Sequence, residues 1–250
     1  MATLGKVYLI GAGPGAQDLI TLRGARLLAS ADVVLHDALV TPEMLELCPQ
    51  AEKIAVGKRC GQLSTAQQFI NKQLVDNARK HAIVVRLKGG DPMLFGRADE
   101  ELRALEEAGI DVEVVPGITT ALAAAAATRQ PLTKRGVSRS VAFFTSSTAP
   151  ELDGLVTVPN TDTLVQYMGG REAIATALSL LAQGRAGTTP VVVIENVSRA
   201  DQRVLRLTLA DLARGLEAPN GPVLVMIGNA LEMRTHQLAD AMPEERRRLA

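Results

Sequence analysis

Short apolar runs recur along the chain, and each one closes on glycine or charged residues. Val7-Tyr8-Leu9-Ile10 runs into Gly11-Ala12-Gly13-Pro14-Gly15, and Val33-Val34-Leu35 into His36-Asp37. Ile54-Ala55-Val56 runs into Gly57-Lys58-Arg59, Ile83 to Leu87 into Lys88-Gly89-Gly90-Asp91-Pro92, and Val112 to Val115 into Pro116-Gly117. Apolar runs this short, bounded by turn residues, predict buried strands. Helical patterns lie between them. Leu19, Leu22, Leu27 and Leu28 share helical spacing behind Asp18, a candidate cap. Ser64-Thr65-Ala66-Gln67 reads as a capping box that opens a helix to about Lys80. Ala98 to Ala108 is helical in pattern and meets Gly109 where a helix commonly stops. Strands alternating with helices predict a mostly parallel sheet.

The pattern then starts again. An alanine-rich helix over Thr119 to Thr128 leads to a basic loop, Lys134-Arg135-Gly136 and Arg139. Strands follow at Val141–Thr145, Leu164–Tyr167, Val191–Ile194, Arg203–Leu207 and Val223–Ile227, with a loop from Ser146 to about Asn160. Helices are expected at Glu172–Leu181 and Leu209–Leu216. The expected organisation is two α/β domains, residues 1–116 and 117–240, each a mostly parallel or mixed sheet flanked by helices. Residues 241–250, with Glu244-Glu245-Arg246-Arg247-Arg248, form a charged tail expected to fray.

Charge and composition remove several function classes. The 250 residues carry 27 basic and 27 acidic side chains, a formal net charge of +0. A nucleic-acid binder ordinarily carries a basic excess, and with 2% aromatic residues and no Trp there is little to stack bases on. The longest apolar run, Ala121 to Ala127, is too short to span a bilayer. Cys48 and Cys60 read as unpaired thiols of a reducing compartment, and scattered His36, His81 and His236 make no zinc pattern. The expectation is a cytoplasmic protein without metal, nucleic-acid partner or membrane anchor.

The chemistry gathers at the strand ends. In an open parallel sheet these ends share one edge, and ligands bind in the crevice beyond it. Gly11 to Gly15, Asp37, Lys58-Arg59 and Gly89-Gly90-Asp91 all fall there. The Gly-x-Gly-Pro-Gly loop differs from a dinucleotide fingerprint because Pro14 lacks the N–H that would cradle a pyrophosphate. Lys58, Arg59, Arg97, Lys134, Arg135 and Arg139 sit in or near loops of a neutral chain, which points to a small anionic substrate.

These motifs resemble the tetrapyrrole methylase family. The resemblance rests on Val7 to Gly15, Ala31 to Val34, Val56 to Arg59, Val84 to Pro92 with Phe95-Gly96-Arg97, Val114 to Thr119, and Tyr167-Met168-Gly169. It implies S-adenosylmethionine as methyl donor, bound between the two domains of a homodimer. It also implies methylation of uroporphyrinogen III at C2 and then C7 to give precorrin-2, for sirohaem, cobalamin or haem d1. Pro14, Gly89, Gly90, Asp91, Leu94, Thr119, Thr120, Met168 and Val197 match the family's donor-binding positions. Asp37 and Lys58 match a proton acceptor and a proton donor, and Arg97 a residue at the substrate face. Lys58 and Arg97 are equally suited to holding substrate carboxylates.

The sequence departs from the family at Val197, where a glycine is common, at Thr145-Ser146-Ser147 and at Thr133-Lys134-Arg135. No dinucleotide domain precedes the motifs, so a stand-alone methylase is expected. The alternatives are a methylase of a later corrin precursor, an NAD-dependent oxidoreductase, disfavoured by Pro14, and a non-catalytic anion binder.

Overall fold

The structure is a computed structural model that describes residues 4–56, 63–146 and 158–233. Lys58, Arg59, Cys60, Ser147 and the 241–250 tail lie outside the described residues. The chain divides into two compact units, Met1–Ala123 and Ala124–Ala250. The expected boundary at residue 117 falls just before the alanine-rich helix, whereas the division between units falls inside it.

Among the described residues, the first unit carries a five-stranded parallel sheet in the order β3-β2-β4-β1-β5. Its strands are β1 (Lys6–Gly11), β2 (Val33–His36), β3 (Glu52–Ala55), β4 (Ile83–Lys88) and β5 (Val112–Val115). The helices are α1 (Leu22–Ala29), α2 (Pro42–Leu45), α3 (Leu63–Ala78) and α4 (Ala98–Glu107). Alternation along the strands feeds two cores. Ile10, Val34, Val85 and Leu87 face Leu28 of α1 and Met44 of α2. Val7, Leu9, Val33, Leu35 and Val84 face Leu74 of α3 and Leu105 of α4. Each fully buried aliphatic side chain contributes about 1.5–3 kcal/mol. Cys48 is a free, buried thiol in the first core, and burial pushes its pKa up.

Three local expectations need correction. Asp18 does not cap α1. Residues Gln17–Leu19 form a separate 3-10 turn, and Thr21 Oγ1 accepts the Gly24 N–H at 3.0 Å instead. The helix expected to begin at Ser64 is already helical at Leu63. The third strand lies over Glu52–Ala55 rather than Ile54–Val56, because it is an edge strand whose start is set by pairing of Val33 with Glu52. Edge strands tolerate the charges of Glu52 and Lys53.

The stop of α4 follows the sequence. Gly109 has φ +68, its N–H donates to Glu106 O at 2.9 Å, and Ile110 N–H donates to Leu105 O at 3.0 Å. These are the two bonds of a Schellman stop. Among the described residues, a Cβ on Gly109 would meet nothing within 4 Å. Gly109→Ala is therefore expected to cost about 1 kcal/mol from left-handed strain alone. Urea unfolding should show that loss.

The helix α5 (Thr120–Thr128) runs from the first unit into the second. The second unit has a mixed sheet in the order β6-β7-β10-β8-β9. These are β6 (Val141–Thr145), β7 (Thr163–Tyr167), β8 (Pro190–Glu195), β9 (Arg203–Thr208) and β10 (Val223–Ile227). Among its described strands only β6 and β7 pair in parallel. Leu180 of α6 (Ala173–Ala182) and Leu209 and Leu212 of α7 (Leu209–Arg214) pack on Leu164, Val193 and Val225. Thr208 and Asp211 cap α7 reciprocally. Among the described residues, no helix is long and apolar enough to cross a membrane.

Candidate active site

In the first unit three strands end against one another on glycine. β1 lies between β4 and β5, so Gly11 at its end meets the residues that follow both neighbours. A Cβ on Gly11 would lie 2.5 Å from Gly117 Cα and 2.7 Å from Gly90 O, and one on Gly117 would lie 2.7 Å from Gly11 Cα. No side chain fits between these backbones. Gly13 and Gly90 then pair in both directions, N–H to O at 3.2 and 2.7 Å, while Ala12 N–H donates to Lys88 O at 2.7 Å. Ala12 and Gly13 therefore spend their N–H groups on protein, and buried Pro14 offers none.

Gly90 has φ +72, and among the described residues a Cβ there would meet only Thr120 Oγ1, at 4.0 Å. One face of its backbone is thus open, beside the start of α5, where Thr119 O accepts the Leu122 and Ala123 N–H groups at 3.1 and 3.3 Å. This is an edge against which a ligand can lie flat on backbone.

Asp91 is less exposed to a ligand than its sequence position implies. Its Oδ2 accepts the Gly117 N–H and its Oδ1 the Met93 N–H, each at 2.9 Å. The carboxylate clasps the end of β4 to the end of β5, and only its remaining lone pairs are left for a ligand. Leu94 follows in the same turn, its N–H donating to Asp91 O at 3.3 Å. Asp37 follows β2. Its carboxylate accepts the Leu39 N–H at 2.9 Å and the Gly89 N–H at 3.4 Å, so it is fixed to the peptide that opens the Gly89-Gly90 turn.

Two non-glycine residues in this loop, Phe95 (φ 52) and Arg97 (φ 53), are left-handed. Strain of this kind clusters at functional sites. Arg97 presents a two-point fork to Glu100, Nε–Oε1 at 2.6 Å and Nη2–Oε2 at 2.7 Å. A substrate carboxylate would have to share that fork.

Sequence reasoning missed a buried ionic group under the same loop. Arg86 Nε and Lys88 Nζ each contact Glu101, at 3.0 Å to Oε1 and 3.0 Å to Oε2, with all three side chains at most 5% exposed. Arg86 Nη1 also donates to the carbonyls of Leu35 and Leu87, at 3.4 and 3.2 Å. The signal was present: Arg86 and Lys88 alternate with Val85 and Leu87 and so share the face of Val84, which α4 covers.

In the second unit, Met168 follows β7 with φ 55 and is half exposed, and a Cβ on Gly169 would lie 2.9 Å from Val225 Cγ2. Val197 is buried between left-handed Asn196 (φ 52) and Ser198 (φ 62). Its own φ is not positive, so valine stands there without strain although glycine is common in the family. The basic loop closes on itself: Lys134 N–H donates to Ser138 O at 3.0 Å and Ser138 N–H to Lys134 O at 2.8 Å, with Lys134 and Arg135 exposed.

The described residues define a two-unit α/β protein whose first sheet is wholly parallel, with a glycine-walled edge and an anchored carboxylate. The profile of the tetrapyrrole (corrin/porphyrin) methylases matches residues 6–213, and the chain belongs to that family. It is 46% identical to the uroporphyrinogen-III C-methyltransferase of Pseudomonas aeruginosa, over 90% of this chain and 93% of that protein. It is also 46% identical to siroheme synthase 2 of Yersinia pestis, over 94% of this chain but 51% of that protein, so it spans about half the length of those relatives. Among solved structures it resembles the uroporphyrin-III C-methyltransferase of Thermus thermophilus complexed with S-adenosylhomocysteine. That likeness has a TM-score of 0.78 at 39% identity, over 90% of this chain and 98% of that one.

Proposed function

We propose that the chain catalyses S-adenosylmethionine-dependent C-methylation of uroporphyrinogen III, at C2 and then C7, to give precorrin-2. The observation that carries this reading is the open backbone face at Gly90, held by the Gly11–Gly90–Gly117 packing beside the anchored carboxylate of Asp37. A Cβ at Gly90 would project into that open face, so the residues present fit a flat, polar donor pressed on backbone. Pro14, Gly89, Gly90, Asp91, Leu94, Thr119 and Thr120 would hold the donor, with Met168 and Val197 also in the proposed set. When bound, the donor supplies an electrophilic methyl group on a sulfonium.

The protein's own part is alignment and proton handling. Displacement at a methyl carbon gains most from holding nucleophile and electrophile in line. Each oxygen of Asp37 receives one backbone N–H, which leaves lone pairs to accept the proton that the methylated pyrrole must lose. Arg97 would hold a substrate carboxylate while sharing its guanidinium with Glu100, and Lys58 would act as proton donor or as a second carboxylate contact. We also infer a homodimer in the cytoplasm, without metal, membrane or nucleic acid. Purified protein incubated with uroporphyrinogen III and S-adenosylmethionine should yield a dimethylated product, red-fluorescent after oxidation. Failure to methylate uroporphyrinogen III overturns the reading, and turnover of an already methylated corrin precursor alone reassigns the substrate.

A further inference from the structure

The Arg86–Glu101–Lys88 group holds two cations against one carboxylate, all buried. A buried charge without its own counter-charge destabilises a fold. Arg86 has structural use, since it also bonds the Leu35 and Leu87 carbonyls and so ties β4 to β2. Among the described residues, Lys88 Nζ donates to Glu101 Oε2 alone, where an ammonium offers three donors. Lys88 is therefore the surplus charge.

Its surroundings link it to the site. Lys88 is the last residue of β4, and the next peptide N–H, of Gly89, donates to Asp37. Its Cε would lie 3.1 Å from a Cβ on Gly96, so its stem runs directly beneath the glycine between left-handed Phe95 and Arg97. Its ammonium is locked to α4 one residue beyond Glu100, the partner of Arg97. The charged groups that act on it are Arg86 on its own strand, Glu101 on α4 and Asp37 after β2.

We propose that Lys88 is a positioning residue of the substrate side. Its stem and fixed ammonium hold the Phe95-Gly96-Arg97 turn and the Gly89 peptide that anchors Asp37. It adds a buried positive charge beneath a site for a polyanionic substrate, and the charge is retained at a cost to stability. The inference rests on the reading of Asp37 and Arg97 given above.

Burial, ahead of repulsion from Arg86, holds the Lys88 pKa below its ordinary 10.5. The folded state then binds fewer protons than the unfolded state in the window below 10.5, so stability rises with pH there. That increment belongs to Lys88 and vanishes with it.

Lys88→Met and Arg86→Met each leave one cation paired with Glu101, and comparing the two tests the proposal. Lys88→Met should unfold at no lower urea concentration than wild type at pH 7, with wild type closing any gap as pH rises toward 10.5. It should bind S-adenosylhomocysteine within about threefold of wild type while kcat on uroporphyrinogen III falls about tenfold or more. Amide exchange of residues 89–97 should quicken. Arg86→Met should lose stability yet keep kcat within about threefold. Three results would each overturn the proposal: a Lys88→Met protein of full activity, one that unfolds distinctly earlier than wild type, or equal kcat losses in both variants. Were wild type itself inactive on uroporphyrinogen III, the proposed function would fall. The unfolding and exchange measurements would still decide the role of Lys88, since unchanged exchange at 89–97 refutes it.

Discussion

Gly117→Val should abolish measurable binding of S-adenosylhomocysteine and lower the unfolding free energy by about 3 kcal/mol. The first branch atom already has no room, lying 2.7 Å from Gly11 Cα and close against Gly90 O. These neighbours are backbone at the end of β1 and just past the end of β4 and cannot rotate aside as a side chain would. Relief requires β5 to move from β1. That also pulls the Gly117 N–H from Asp91 Oδ2, a 2.9 Å bond to a carboxylate. Gly90 would move with it, and the open face proposed for the donor would be lost. Calorimetric titration and urea unfolding read the two effects separately. A Gly117→Val protein that binds the donor analogue with affinity reduced by less than about tenfold would show that the donor does not use this edge.

Asp37→Asn should behave in the opposite way, with binding kept and turnover lost. Asparagine keeps one carbonyl oxygen, enough to accept the Leu39 N–H and preserve the turn after β2. It loses the capacity to take a proton. A kcat decrease of about a hundredfold or more is expected, within the range for removal of a general base, with donor affinity changed by less than about threefold. Steady-state rates against uroporphyrinogen III, together with donor titration, check this. An Asp37→Asn enzyme of near wild-type kcat would leave Asp37 as a structural cap only.

The strand ends were legible in the sequence because each apolar run stops at a residue that cannot continue it. Gly11, Gly89-Gly90 and Pro116-Gly117 marked the edge, and parallel pairing brings them together. The Gly109 stop was equally plain, since a left-handed residue with no space constraint is a local matter. Asp91 illustrates what a strand-end motif conceals. As part of a glycine-rich stretch it reads as displayed to a ligand, yet one carboxylate oxygen is spent on Met93 and the other 26 residues away, at Gly117. The donors that occupy a carboxylate depend on which strand lies next to it, and no spacing encodes that. The ionic group at Arg86, Lys88 and Glu101 was passed over because the strand reads as apolar on average, although alternation set both cations on one face. Asp18 and Thr21 compete as caps within three residues. The choice was made by the extended backbone at Ile20 and Thr21, which a pattern of leucines does not specify.

The central place of β1 also bears on how the first unit is made. Its partners are β4, which begins at residue 83, and β5, which begins at residue 112. As the chain leaves the ribosome at about 5–20 residues per second, Val7-Tyr8-Leu9-Ile10 waits seconds before either of its edges is paired. For that interval an apolar strand of the proposed site is an unprotected sticky edge. The Gly11–Gly90–Gly117 packing that holds the proposed open face is complete only once Gly117 has been translated. Donor binding to a growing chain would thus report completion of the parallel sheet.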